Sequence, residues 1–267
     1  FDTKANARKK VMIEPINYIG RASRDMKYRF NWNAPIIWSK HEPNTFYHAA
    51  HHLFKTNNQG KSWKIVSPDL TRNEDEKQGN GGGPYTNEAV GAENYGTISY
   101  VVESPHEENT IYVGSDDGLV HISQDNGETW SNVTKNIPNL PKLGVVRNIE
   151  ASKWDAGKAY LTIEFHQVGN FEPHVYKTEN FGKSWKKITE GISSGNLSYT
   201  RCIKEDPVRE GLLYLGTENK LYVSFNDGSN WQELMSNLPH SPMYWIDIQE
   251  HFNDLVVGTY GLSLIHI

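Results

Sequence analysis

The 267-residue chain has one cysteine, Cys202, so no disulfide can close within it. That suits a reducing compartment and equally a bacterial export route that needs no disulfides. No apolar run reaches the roughly 20 residues a helix needs to cross a bilayer. Neither sign of charge dominates: 27 Lys and Arg stand against 32 Asp and Glu, a net charge of -5. The balance gives no electrostatic footprint for nucleic acid or an anionic membrane. Amphipathic helical periodicity is missing, and strands do not alternate with helices, which argues against βαβ architectures. No Gly-Lys-Ser/Thr follows the glycine-rich run at 79–83, so it is not a phosphate loop. No secretory signal is visible, but the chain opens at Phe1 rather than Met, so its native N-terminus is expected upstream.

What the chain has in quantity is aromatic area, with 8 Trp and 14 Tyr, enough for a large core. It also has a phrase that returns. The phrase ends in Gly-x-x-Trp and appears four times, around Gly60 and Trp63, Gly127 and Trp130, Gly182 and Trp185, and Gly228 and Trp231. Upstream of each copy lies an apolar strand, a turn, and a second strand centred on Tyr47, Tyr112, Tyr160 or Tyr214. A fifth unit begins at Tyr244-Trp245-Ile246-Asp247-Ile248 and continues through Leu255-Val256-Val257-Gly258. Turn residues such as Asp116-Asp117-Gly118 and Asn226-Asp227-Gly228 punctuate each unit. Four short strands per unit, at roughly 40–50 residues per unit, predict the blades of an all-β propeller.

Within the phrase, Asn58, Asp125, Asn180 and Asn226 precede the glycine by two residues. Their side chains suit hydrogen bonding to turn N–H groups, the glycine suits positive φ, and the Trp suits burial between sheets. This explains the phrase as a structural staple with no need of catalysis. Lys55 and Lys177 stand at the start of two copies, where Ser123 and Ser224 start the others, so those two copies read as departures from a hydroxyl.

The stretch Ser123-Gln124-Asp125-Asn126-Gly127-Glu128-Thr129-Trp130 resembles the Asp box, or BNR repeat, of sialidases, xyloglucan-cleaving glycosidases, sortilin-type receptors and photosystem assembly factors. The wider resemblance is to bacterial sortilin-N-terminal-like BNR proteins often labelled glycosyl hydrolases. Its phrases are Asp25-Met26-Lys27-Tyr28-Arg29-Phe30-Asn31-Trp32, Ser67-Pro68-Asp69-Leu70-Thr71-Arg72-Asn73, Gly114-Ser115-Asp116-Asp117-Gly118-Leu119-Val120, Glu205-Asp206-Pro207-Val208-Arg209 and Val256-Val257-Gly258-Thr259-Tyr260-Gly261. It implies a non-catalytic, extracytoplasmic scaffold binding a protein or glycan, without a cofactor. The alternative is a glycoside hydrolase, sialidase-like or xyloglucanase-like.

The expected layout is the end of a preceding blade over 1–14, then blades over about 30–66, 97–134, 145–190, 199–236 and, in part, 243–261. Leu262-Ser263-Leu264-Ile265-His266-Ile267 back-translates to the end of a transposase sequencing adapter, so 262–267 is expected to be a non-native tail. Such an open arc leaves two sheet edges, and the rest of the wheel is expected from chain beyond both termini.

Several side chains are candidates for chemistry. Arg147 and Arg201 each lie two residues before an apolar inner-strand residue, and a guanidinium pair can grip a carboxylate or phosphate. Their duller reading is an ion pair with Glu205 or Asp206. The long insertion 67–96 carries Arg72, Glu88, Glu93 and Asn94 and reads as a face loop or a linker. Phe171, in a second insertion, suits stacking on a ligand or closing a neighbouring blade. His48, His51 and His52 form a metal-like cluster, but a turn between them would separate the rings, and no metal is expected. Asp116-Asp117-Gly118 reads first as a hairpin turn. Asn132-Val133-Thr134 and Asn196-Leu197-Ser198 are formal glycosylation sequons.

Overall fold

The computed structural model describes residues 3–81, 90–236 and 238–266. Its strands form four four-stranded sheets and one three-stranded sheet, every neighbouring pair antiparallel and consecutive in sequence. Blade 1 holds β1 (Ile36–Trp38), β2 (Phe46–Ala49), β3 (Leu53–Thr56) and β4 (Lys64–Ile65). Blade 2 holds β5 (Ile98–Glu103), β6 (Ile111–Ser115), β7 (Val120–Ser123) and β8 (Ser131–Asn132). Blade 3 holds β9 (Val145–Ala151), β10 (Ala159–Glu164), β11 (Val175–Thr178) and β12 (Lys186–Lys187). Blade 4 holds β13 (Thr200–Glu205), β14 (Leu213–Thr217), β15 (Leu221–Ser224) and β16 (Gln232–Glu233). Blade 5 holds β17 (Met243–Gln249), β18 (Asp254–Thr259) and β19 (Ser263–His266).

Burial follows from sheets standing face to face. The middle strands β6, β7, β10 and β15 are buried along their whole length, because a neighbouring blade covers each face. That is why they read as continuous apolar runs rather than alternating ones. The outer strands β4, β8, β12 and β16 are two residues long and exposed. Each apolar cluster spans one seam: Tyr112 and Ile122 of blade 2, for example, meet Ile149 and Leu161 of blade 3. Gly114 marks how close these faces come, since a Cβ there would lie 2.1 Å from Val146 Cγ1.

The turn chemistry is the same in all four Asp-box copies. In blade 2 Ser123 Oγ donates to Asp125 Oδ1 (2.8 Å) and accepts from Gly127 N (2.8 Å), while Thr129 N donates to Asp125 Oδ1 (2.8 Å). In blade 1 Thr56, Asn58, Gly60 and Ser62 repeat the pattern, and in blade 3 Thr178, Asn180, Gly182 and Ser184 repeat it. The hydroxyl position is therefore Thr56 and Thr178, not Lys55 and Lys177, and these copies are more regular than their sequence suggests. Three of the four tryptophans reach backward with a hydrogen bond: Trp130 Nε1 donates to Val66 O (3.0 Å) and Trp231 Nε1 to Ile188 O (2.9 Å), each just past the preceding blade's outer strand, whereas Trp185 Nε1 has no partner among the described residues. Trp63 Nε1 makes the same bond to Val11 O (2.9 Å), so Val11 occupies the place that Val66 and Ile188 hold elsewhere. Residues 263–266, read in the sequence as part of a tail, pair with β18 from Thr259↔Ser263 to Val256↔His266.

The two lysines have a different task. Tyr47 Oη donates to Glu103 Oε1 (3.4 Å) and Asn126 Oδ1 (3.1 Å) of blade 2, and Lys55 Nζ also reaches Asn126 Oδ1 (3.1 Å). At the seam of blades 3 and 4, Tyr160 Oη donates to Glu205 Oε1 (3.1 Å) and Asp227 Oδ1 (2.5 Å), with Lys177 Nζ on Asp227 Oδ2 (2.7 Å). Between blades 2 and 3 the same positions hold Ala151 and Phe181, and the buried Tyr112 Oη has no hydrogen-bond partner among the described residues. Polar clasps thus occupy these positions in two seams, and apolar residues occupy them in the seam between, which Ser99 Oγ and Asn136 Nδ2 cross elsewhere by donating to Val146 O and Gly182 O.

Candidate functional site

The first strands of all five blades, β1, β5, β9, β13 and β17, contribute to one cavity of about 790 Å³. Tyr100 of blade 2 and Trp245 of blade 5 face each other across it, with ring centroids 6.3 Å apart. In a propeller the inner strands surround a central channel, and this cavity lies on that side of the five blades. Trp32, Glu93, Asp116, Arg147, Gln167, Arg201 and Tyr244 also line it.

The structure brings Arg147, Arg201 and Glu93 together at this cavity. The arginines, however, already grip a carboxylate of the chain itself. Glu164, at the end of β10 and fully buried, pairs with Arg147 Nη2 on one oxygen and with Arg201 Nη1 (2.6 Å) on the other. Arg201 also pairs with Glu218 through Nη2 (2.7 Å) and stacks against Tyr199 and Tyr244, at 4.9 and 4.7 Å from their ring centroids. The expected partners Glu205 and Asp206 are replaced by Glu164 and Glu218. Glu205 is the last residue of β13, where it meets Tyr160 rather than Arg201. Farther along the same strands Lys204 Nζ pairs with Glu150 Oε1 (3.1 Å).

The rim near blades 1 and 2 joins the candidates Glu93 and Asn94 to residues that the sequence offered as phrases without a chemical role. Arg29 is buried and works as a hub: Nε donates to Gly96 O (3.1 Å), while Nη2 donates to Asp69 Oδ2 (2.8 Å) and Thr71 Oγ1 (3.0 Å). Next to it Asn94 Nδ2 donates to Phe30 O (2.8 Å) and Asn31 Nδ2 to Asn94 O (3.1 Å). These bonds set Trp32 beside Glu93, with Trp32 Nε1 donating to Glu93 Oε1 (3.0 Å). Trp32 stays 71% exposed. An exposed Trp fixed at a cavity mouth is the feature sequence reading missed, because composition cannot tell a rim Trp from a core one.

Asp116 lies on the same wall. Its carboxylate accepts from Gly96 N (2.9 Å), Thr97 N (2.8 Å) and Thr97 Oγ1 (2.8 Å). Burial nonetheless raises its pKa to about 6, against the lowering effect of those donors. Asp117, next in the hairpin, is turned away to accept from Arg72 N (2.7 Å).

The remaining sequence candidates lie elsewhere. Arg72 donates through Nε to Asp117 O (2.9 Å), outside the cavity. Phe171 sits against Tyr199, with centroids 6.2 Å apart, also outside it. The turn between β2 and β3 separates His48 from His51 and His52, and the rings take other partners. His48 Nδ1 lies 2.9 Å from Pro35 O, His52 Nδ1 lies 3.1 Å from Ser67 O, and His51 Nδ1 accepts from Arg29 N (3.0 Å). Glu88 lies outside the described residues, as does the end of the glycine-rich run.

A BNR/Asp-box repeat matches residues 121–132, the β7–β8 hairpin of blade 2. No curated protein matches the chain. Among solved structures, the GH74 xyloglucanase from Xanthomonas campestris aligns at 18% identity and a TM-score of 0.59, over 85% of this chain and 35% of that one. An ancestral GH74 enzyme aligns at 16% identity and a TM-score of 0.58, over 90% of this chain and 31% of that one. YCF48 bound to D1 peptide aligns at 16% identity and a TM-score of 0.53, over 90% of this chain and 63% of that one. The chain therefore spans about a third of the length of the GH74 structures. No helix among the described residues is long and apolar enough to cross a membrane. At these identities the likeness is one of architecture, and the chain is an all-β propeller carrying a BNR/Asp-box repeat.

Proposed function

We propose that the chain is a non-catalytic, extracytoplasmic binding propeller of the sortilin-N-terminal-like BNR kind, holding its ligand at the mouth of the axial channel. One observation carries this reading. The channel offers exposed aromatic faces at Trp32, Trp245 and Tyr244, while its two arginines are neutralised by Glu164 and Glu218. A cavity of about 790 Å³ lined by aromatics and a few fixed polar groups has the dimensions and chemistry of a ligand site. The architecture it shares with a peptide-bound protein and with the extracellular domain of a Bacteroides thetaiotaomicron two-component system is compatible with such a role.

The test is a glycan array, a peptide array and a fluorogenic-glycoside screen on the chain. Binding without turnover, weakened by Trp32→Ala or Trp245→Ala, supports the reading.

A second reading, glycoside hydrolysis, is favoured by one specific feature. Asp116, with its pKa raised to about 6, and Glu93 line the same cavity, and a carboxyl that is half-protonated near pH 6 suits a general acid in weakly acidic solution. Turnover that disappears in Asp116→Asn would establish that reading and remove the first.

A further inference from the structure

We infer that the Trp32–Glu93 rim binds a cationic side chain, and that the ligand of this channel is a basic, extended peptide segment. This rests on the binding reading above and adds the chemistry of the ligand.

The charges of the cavity support it first. Its charged lining residues are Glu93, Asp116, Arg147 and Arg201. Both arginines are spent on Glu164 and Glu218, so they contribute little net positive potential. Glu93 and Asp116 have no Lys, Arg or His at ion-pair distance among the described residues. The uncompensated charge of the mouth is therefore negative, which attracts a cation and repels a phosphate or an acidic peptide.

The aromatic geometry supports it independently. Glu93 holds the edge of the Trp32 indole through Nε1, which leaves the ring faces open. A cation resting on that face lies near the carboxylate at the ring edge, so the ring quadrupole and the charge act on it together. Trp245 and Tyr244 are exposed farther in, where they can cover the stem of a long side chain. The rim is also preorganised. Asn31 and Glu93 form an isolated β-bridge, and the Asn94 and Arg29 bonds fix both flanking segments, so little ordering is left for the ligand to impose.

The experiment is fluorescence anisotropy on the 267-residue chain with three labelled Gly-Ser peptides. One carries three lysines, one the same lysines acetylated, and one glutamates in their place. We expect saturable binding of the lysine peptide, at least tenfold weaker binding of the other two, and weakening as salt rises. Glu93→Gln keeps an oxygen for Trp32 Nε1 and removes only the charge. It should weaken the lysine peptide at least tenfold, and Trp32→Ala should do the same. Glu107→Gln, on an exposed turn of blade 2, removes one negative charge away from the cavity and should change nothing. If Trp32→Ala melts early, Trp32→Phe keeps an aromatic face and should retain most of the binding. Absence of binding, equal binding of the three peptides, or indifference to Glu93→Gln would overturn the inference. A neutral oligosaccharide bound equally well by the Glu93→Gln protein would overturn it too, while leaving the binding reading intact. Glycoside turnover lost in Asp116→Asn would overturn that reading itself.

Discussion

The same substitution at equivalent places on neighbouring blades should change stability in opposite directions. Tyr112 and Tyr160 both lie on the second strand of a blade, and both are fully buried. The Tyr160 hydroxyl donates to Glu205 and Asp227 of the next blade, and Glu205 is only 3% exposed. Tyr160→Phe removes the donor from a buried carboxylate, and hydrogen bonds to charged groups contribute about 1.5–3 kcal/mol each. A loss of about 2 kcal/mol is expected. The Tyr112 hydroxyl is buried without a partner, which costs about 1–3 kcal/mol in desolvation. Tyr112→Phe removes that cost and leaves only a small void, so a gain of up to about 1 kcal/mol is expected. Urea unfolding followed by Trp fluorescence measures both, provided the m-value is unchanged. Equal losses in the two variants would refute the assignment of a clasped and an unclasped seam.

Other substitutions probe the seams and the channel wall. Gly114→Ala drives a Cβ into Val146 across the seam of blades 2 and 3 and should cost about 1–3 kcal/mol in the same urea assay. Glu164→Gln leaves Arg147 and the nearly buried Arg201 without their shared carboxylate, and thermal melts should report a loss of about 3 kcal/mol or more. Acid should destabilise the fold through three histidines. Burial lowers His121 and His174 to about 4 and His51 to about 3. The unfolded chain takes up protons first, so stability is full above pH 6.5 and falls as pH drops through 4. Melting temperatures between pH 4 and 7 check this, and His121→Gln should flatten the slope. Asp116 acts in the opposite sense. Its raised pKa makes its contribution largest below pH 4 and lost as pH rises through 6, so Asp116→Asn should gain most above pH 6.

Much of the architecture was legible in the sequence because it repeats. The Gly-x-x-Trp phrase fixed four of the five blades, and the Tyr-centred strands fell on β2, β6, β10 and β14. Repetition also placed Arg147 and Arg201 on equivalent strands, β9 and β13, and both line the cavity. Their partner was not legible. Glu164 lies within a strand buried on every side, where the pattern gives no reason to single out a carboxylate. The misaligned hydroxyl has a similar origin. Lys55 and Lys177 start two of the phrases, yet they serve the seam one residue before the turn that Thr56 and Thr178 close. Trp32 and Glu93 meet from segments far apart in the chain, and only the Arg29 hub, itself assembled from three segments, shows why they stay together.

The alternation of seams also decides how the arc should come apart. High salt screens charge, so it acts on the clasped junctions, where Lys177 pairs with Asp227 and Lys55 reaches Asn126. Cooling weakens apolar contact, so it acts first on the junction of blades 2 and 3, where Ala151 and Phe181 stand in the clasp positions. Salt therefore loosens blade 1 from blade 2 and blade 3 from blade 4. Cooling divides the arc between blades 2 and 3, with blades 1 and 2 on one side and blades 3 to 5 on the other, each piece carrying its own clasp.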